Sequence, residues 1–190
     1  FRSIVYTLVP APHISFFGKP LKDLSYKLKR AANVSDTIEP TGYYLMNRKT
    51  NRCFTKEAMT EILNYLKLNY KEYTWEIYRD NAQGVKNLII LWNNVKFAFA
   101  PTGSNLMGVL FLQKDSLVVC ALCNFKDLAF ANTAITVGAR FIMFSNPSPQ
   151  FSKKYMDLNI SCSKEMIDIG MFAVKYKKWP KRIKNEQKHV

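Results

Sequence analysis

The sequence has 190 residues, 48% hydrophobic and 14% aromatic, with a formal net charge of +14. A chain of this length and apolar content builds one packed domain, or one lobe of a larger enzyme, and is neither disordered nor fibrous. No apolar run approaches the roughly 20 residues that cross a bilayer, no signal-peptide pattern opens the chain, and four irregularly spaced cysteines do not make a disulfide scaffold.

In chain order, residues 1–20 read as an irregular segment punctuated by Pro10, Pro12 and Gly18. The chain begins with Phe1 rather than Met, so an upstream piece carrying an anchor or a further lobe is expected. Pro20 suits the first turn of a helix. Leu21, Leu24 and Leu28 predict its inner face, with Lys22, Lys27, Lys29 and Arg30 opposite. A strand is predicted over 43–48. Thr55 is a candidate N-cap for a helix that buries Met59, Ile62, Leu63 and Leu66.

Residues 73–79 alternate as a strand does. Asp80 with Gln83 resembles a capping box, opening a helix through Val85, Leu88, Ile89 and Trp92. Strands are then predicted over 95–100, 116–122 and 140–145, with helices over 103–111 and 125–137 between them. Strand and helix alternate, which predicts an α/β, Rossmann-like, doubly wound parallel sheet with helices on both faces. The lobe is expected to occupy 21–146, leaving 147–190 as a C-terminal extension with a basic tail.

That tail, residues 175–190, holds seven Lys or Arg against Glu186 alone. It reads either as a solvated terminus or, with Trp179, as a grip on nucleic acid or an acidic membrane surface, which leaves a basic nucleic-acid-binding protein as a further alternative. No recognition motif of a nucleic-acid fold accompanies it, so nucleic acid is not an expected partner. Cys120 and Cys123 form C-x-x-C without a second pair, which favours buried thiols over a redox or zinc site. Asn33 and Asn159 are sequons, meaningful only in a secretory lumen.

Ligands of such sheets bind beyond the carboxyl ends of the strands, which singles out two polar turns. At 101–105, Gly103 permits close backbone approach, and the N–H groups of Ser104, Asn105 and Leu106 at a helix start make an anion site, with hydroxyls from Thr102 and Ser104. At 47–52, Arg48 and Arg52 are four apart, and a guanidinium clamps a diphosphate in bidentate fashion. No P-loop or G-x-G-x-x-G is present, two histidines near the ends do not make a triad, and no cluster has metal-ligand spacing.

The order of these elements resembles the C-terminal part of the family 61 glycosyltransferases. Arg48 and Arg52 fit that family's paired arginines. Gly103, Leu106, Leu110 and Phe111 fit its central glycine-rich motif, and Asp127, Leu128 and Ala129 fit the helix after the next strand. The likeness runs over 21–145. It implies one lobe of a GT-B-like, two-lobed, inverting transferase that moves N-acetylglucosamine or a pentose from a UDP-sugar to a protein or polysaccharide acceptor.

On that reading Arg48, Arg52, Thr102, Gly103, Ser104, Asn105, Leu106 and Cys120 bind the donor. The UDP-sugar is a co-substrate, no further cofactor or metal is expected, and acceptor binding and the catalytic base are expected largely in an N-terminal lobe. The resemblance also implies residence in the Golgi or endoplasmic reticulum lumen, with membrane attachment only through an upstream anchor. The central motif departs from the family: Thr102 replaces a histidine, Ala100 and Asn105 replace glycines, and Cys120 aligns with a strand-end glutamate. These changes leave open a catalytically degenerate member that acts as a binding or structural module.

Overall fold

A computed structural model describes residues 18–35, 37–79, 84–123, 128–146 and 154–181. Five strands form a parallel sheet: β1 (Gly42–Asn47), β3 (Trp75–Arg79), β4 (Val95–Pro101), β5 (Leu117–Leu122) and β6 (Arg140–Ser145). Their spatial order is β3-β1-β4-β5-β6. The β1–β4 register shifts once, between Gly42 and Tyr43, after which Phe99 stands opposite Leu45 on one side and Val119 on the other. The predicted α/β doubly wound sheet is therefore what the chain forms. Parallel strands are buried on both faces, and every residue of β4 and β5 is buried.

Helices α2 (Lys56–Asn69) and α5 (Ile160–Tyr176) cover one face. Met59, Ile62 and Leu66 of α2 and Ile167, Met171 and Val174 of α5 meet Leu45, Phe97, Phe99, Leu117 and Val119 there. On the other face, α3 (Gly84–Asn94) and α4 (Ala129–Val137) bury Ile89, Trp92, Phe130 and Ala134 against Ala98, Ala100, Val118 and Cys120. Thr55 caps α2 as predicted, its side chain accepting from the Ala58 N–H at 3.2 Å. The Asp80–Gln83 capping box and Asp127 lie outside the described residues, as does the tail beyond residue 181.

Three expectations are corrected. The helix predicted over 103–111 is a 3-10 helix, Ser104–Phe111. With three residues per turn, positions i, i+3 and i+6 eclipse, so Leu106, Val109 and Leu112 form one line, at 0%, 0% and 1% exposure. Gly108 brings this segment against Trp92: a Cβ there would stand 2.1 Å from the indole. Met107, off that line, is exposed.

Second, α1 (Lys19–Ala31) is rotated from its predicted face. Leu24 is exposed, whereas Ser25 and Lys29 are buried. The cause is polar. Ser25 Oγ donates to the Leu110 carbonyl at 2.6 Å and Lys29 Nζ to that of Leu112 at 3.1 Å, so α1 satisfies carbonyls at the end of the 3-10 helix.

Third, the lobe does not end at residue 146. β7 (Tyr155–Met156) pairs in parallel with β2 (Cys53–Phe54), and α5 belongs to the core of the sheet. Gly170 is what allows α5 so close, because a Cβ there would stand 2.9 Å from both Leu117 and Phe97.

Candidate functional site

In this strand order the chain leaves β1 toward one edge, for β3, and returns to the other side of β1, for β4. The order of connections reverses between β1 and β4, and beyond the carboxyl ends of such a strand pair lies the ligand crevice of doubly wound sheets. The turns that sequence reading singled out, 47–52 and 101–105, emerge from these two neighbouring strands.

The loop after β1 is closed by Asn47. Its Oδ1 accepts from the N–H groups of Arg48 and Phe54 at 2.9 and 2.8 Å, and its Nδ2 donates to the Phe54 carbonyl at 3.0 Å. The Cys53 thiol, whose pKa burial pushes up, donates to the Thr50 carbonyl at 2.8 Å. Arg52 takes a left-handed backbone conformation at φ 63°, uncommon for a side chain other than Gly or Asn. Asn47 opens the 47–52 turn but is not among the residues the sequence reading assigns to the donor. An asparagine that ends a strand before a polar turn is the local signal for such a loop.

Both guanidinium groups converge on Gly103. A Cβ at that position would lie 1.7 Å from Arg48 Nη1 and 3.1 Å from Arg52 Nη2, so only glycine leaves room for them. Arg48 Nη1 donates to Asn105 Oδ1 at 3.0 Å, and Asn105 Nδ2 reaches back to the Pro101 carbonyl at 3.4 Å. Arg48 Nε is buried without a hydrogen-bond partner, and Arg48 forms no ion pair among the described residues. Burial, and then the Arg48 charge beside it, pulls the pKa of Arg52 down. The two guanidiniums therefore stand close together against their mutual repulsion.

The eight sequence-predicted residues divide at this point. Arg48, Arg52, Gly103 and Asn105 come together, and Ser104 is exposed beside them. Thr102 is buried at 2% exposure, with its N–H donated to the Ala121 carbonyl. Leu106 belongs to the core, and its N–H is spent on the Gly103 carbonyl at 2.9 Å, so it offers nothing to an anion. Cys120 sits two residues before the end of β5, opposite Ala100 and Met143, at 1% exposure among apolar side chains. It supports the turn from below rather than facing a ligand.

None of the four cysteines is in a disulfide, and Cys162 alone is not buried. Among the described residues, no group of three His, Cys, Asp or Glu side chains is placed to hold a metal ion, and no helix is long and apolar enough to cross a membrane.

A five-stranded parallel sheet with helices on both faces is a Rossmann-like architecture of the kind glycosyltransferases use. The family model described as Glycosyltransferase 61 matches residues 1–119, and the chain belongs to that family. The match holds β1 to β4, both polar turns and the 3-10 helix, and it ends inside β5; α4 to α5 lie beyond it. No curated protein matches the chain.

Proposed function

We propose that this lobe binds the diphosphate of a UDP-sugar between Arg48, Arg52 and the 103–105 turn, and that the whole enzyme transfers N-acetylglucosamine or a pentose with inversion. The observation that carries the reading is the convergence of two guanidiniums on Gly103 at the switch point. In the reaction the acceptor oxygen bonds to the anomeric carbon while the bond from that carbon to the diphosphate oxygen breaks. Negative charge grows on the departing UDP, where preorganised cations stabilise it more than they do the ground state. The acceptor proton passes to a base on a second lobe of a GT-B-like pair.

The acceptor in this proposal is a protein or polysaccharide met in the Golgi or endoplasmic reticulum lumen. Exposed Asn33 and Asn159 are compatible sites for lumenal glycosylation.

A second reading, a degenerate member that binds or scaffolds without catalysis, draws on two observations: Asn105 already occupies one face of Arg48, and Cys120 is sealed in the core. Calorimetric titration with UDP at two salt concentrations, with GDP and ADP as controls, separates the two. Selective UDP binding that survives higher salt supports the donor lobe. Binding of none, or of all three only at low salt, sinks it.

A further inference from the structure

We propose that the groove beside Arg48 binds the charged part of an anionic glycan, so that this lobe reads an acidic acceptor as well as the donor. The inference rests on the donor reading above. The groove has a volume of about 590 Å³, and its wall includes Arg48 but none of Arg52, Gly103, Ser104 or Asn105. Arg48 is thus the shared boundary between two adjoining spaces. A hollow of this size lies within the ordinary range for ligand sites, roughly 300–1,000 Å³.

Its charge is one-sided. Lys49, Lys56 and Lys154 join Arg48 around it, and no Asp or Glu lines it. The three lysines are exposed and form no ion pair among the described residues. The acids early in α2, Glu57 and Glu61, line an adjoining depression that shares Lys56 and Thr60 with the groove, and Glu61 is paired with Lys164. Lys56 is the first residue of α2, so the positive end of that helix adds to the field.

The floor is apolar: Met59 and Leu63 from α2, Ile77 from β3, and the half-exposed ring of Tyr155, over which Lys154 Nζ lies at 5.2 Å. Lysines are mobile point charges on long stems. They suit single carboxylates or sulfates spaced along a chain, whereas the forked geometry of the arginines suits a diphosphate. Apolar walls and an aromatic ring suit the C–H faces of sugar rings.

Position supplies the remaining argument. An acceptor hydroxyl must come within about 3–3.5 Å of the anomeric carbon to react, so the rest of the acceptor lies over surface continuous with the diphosphate site. The lysine groove is such a surface.

The test measures binding of tetragalacturonate, a sulfated tetrasaccharide and neutral xylotetraose to the full chain at matched ionic strength, with and without saturating UDP. Binding of either acidic probe about tenfold more tightly than xylotetraose, retained with UDP bound, supports the proposal. Lys56→Glu and Lys154→Glu should each weaken the acidic probe about tenfold while leaving UDP affinity within twofold. Lys67→Glu, at the far end of α2, should do neither.

Equal binding of xylotetraose, an equal loss in Lys67→Glu, or displacement by UDP overturns the inference. If UDP fails to bind while the acidic probe still depends on Lys56 and Lys154, the donor reading falls and the groove stands.

Discussion

A methyl group on Gly103 would occupy the space now held by the Arg48 guanidinium, 1.7 Å from Nη1. The glycine and the arginine lie 55 positions apart in the chain and define one another's geometry. Gly103 also has φ 146°, a conformation side chains rarely adopt. Gly103→Ala should therefore displace Arg48 from Asn105, lower stability by about 1–3 kcal/mol, and weaken UDP binding at least as much as loss of Arg48 does. Denaturant titration with calorimetry on the same sample checks both; UDP affinity within twofold of wild type would contradict the geometry.

Arg48→Ala removes a charge-assisted contact worth about 1.5–3 kcal/mol, or about 10–100-fold in affinity. Lys181→Ala, an exposed cation remote in sequence from both turns, should change UDP affinity less than twofold. Equal losses would mean that the contact is only nonspecific charge. Arg48→Lys should recover little, since an ammonium cannot span two phosphate oxygens.

Gly108 and Gly170 grade the tightness of the two faces. A Cβ on Gly108 meets the rigid Trp92 ring at 2.1 Å, whereas on Gly170 it meets Leu117 and Phe97 at 2.9 Å. Gly108→Ala should destabilise by about 2–3 kcal/mol and shift the tryptophan emission; Gly170→Ala should cost about 1 kcal/mol. Thermal unfolding followed by fluorescence ranks the pair, and the reverse order would mean that the 3-10 helix yields more easily than the sheet.

The α2–α5 seam carries a pH dependence. Tyr65 and Tyr70 both donate to Asp168 Oδ1, at 2.5 and 2.6 Å. Burial first, and then Asp168, raises both phenols above the ordinary 10.0. A raised folded pKa means that the folded state holds its protons more tightly than the unfolded chain. The contribution is complete below pH 10.0 and is lost as the pH climbs toward the folded value. The melting temperature should fall steeply above that pH. Tyr70→Phe should be about 1 kcal/mol less stable at neutral pH and fall less steeply in alkali. Parallel melting curves for the two proteins would refute the assignment.

The sheet was legible because its central strands hold continuous apolar runs bounded by polar residues, as at 97–100 and 117–122. The paired arginines and Gly103 were legible because their residue types carry local meaning. What escaped depends on distant partners. Ser25 and Lys29 are buried because carbonyls more than eighty residues away need donors. α5 lies in the stretch read as an extension, and only the approach to Phe97 and Leu117 explains its Gly170. Asn105, read as a lost glycine, holds Arg48 in place. No local rule foretells a side chain that reaches another loop.

The pairing of β2 with β7 sets an order of events during synthesis. Cys53 N–H donates to the Lys154 carbonyl at 2.8 Å, so the strand that closes the arginine loop waits for a partner about a hundred residues downstream. At roughly 5–20 residues per second, that is several seconds in which the ribosome has delivered both arginines but not the segment that braces them. The arginine loop is thus completed late, and a nascent chain stopped at the end of β6 would carry it with the Asn47 hydrogen bonds but without the one from Cys53 to Lys154.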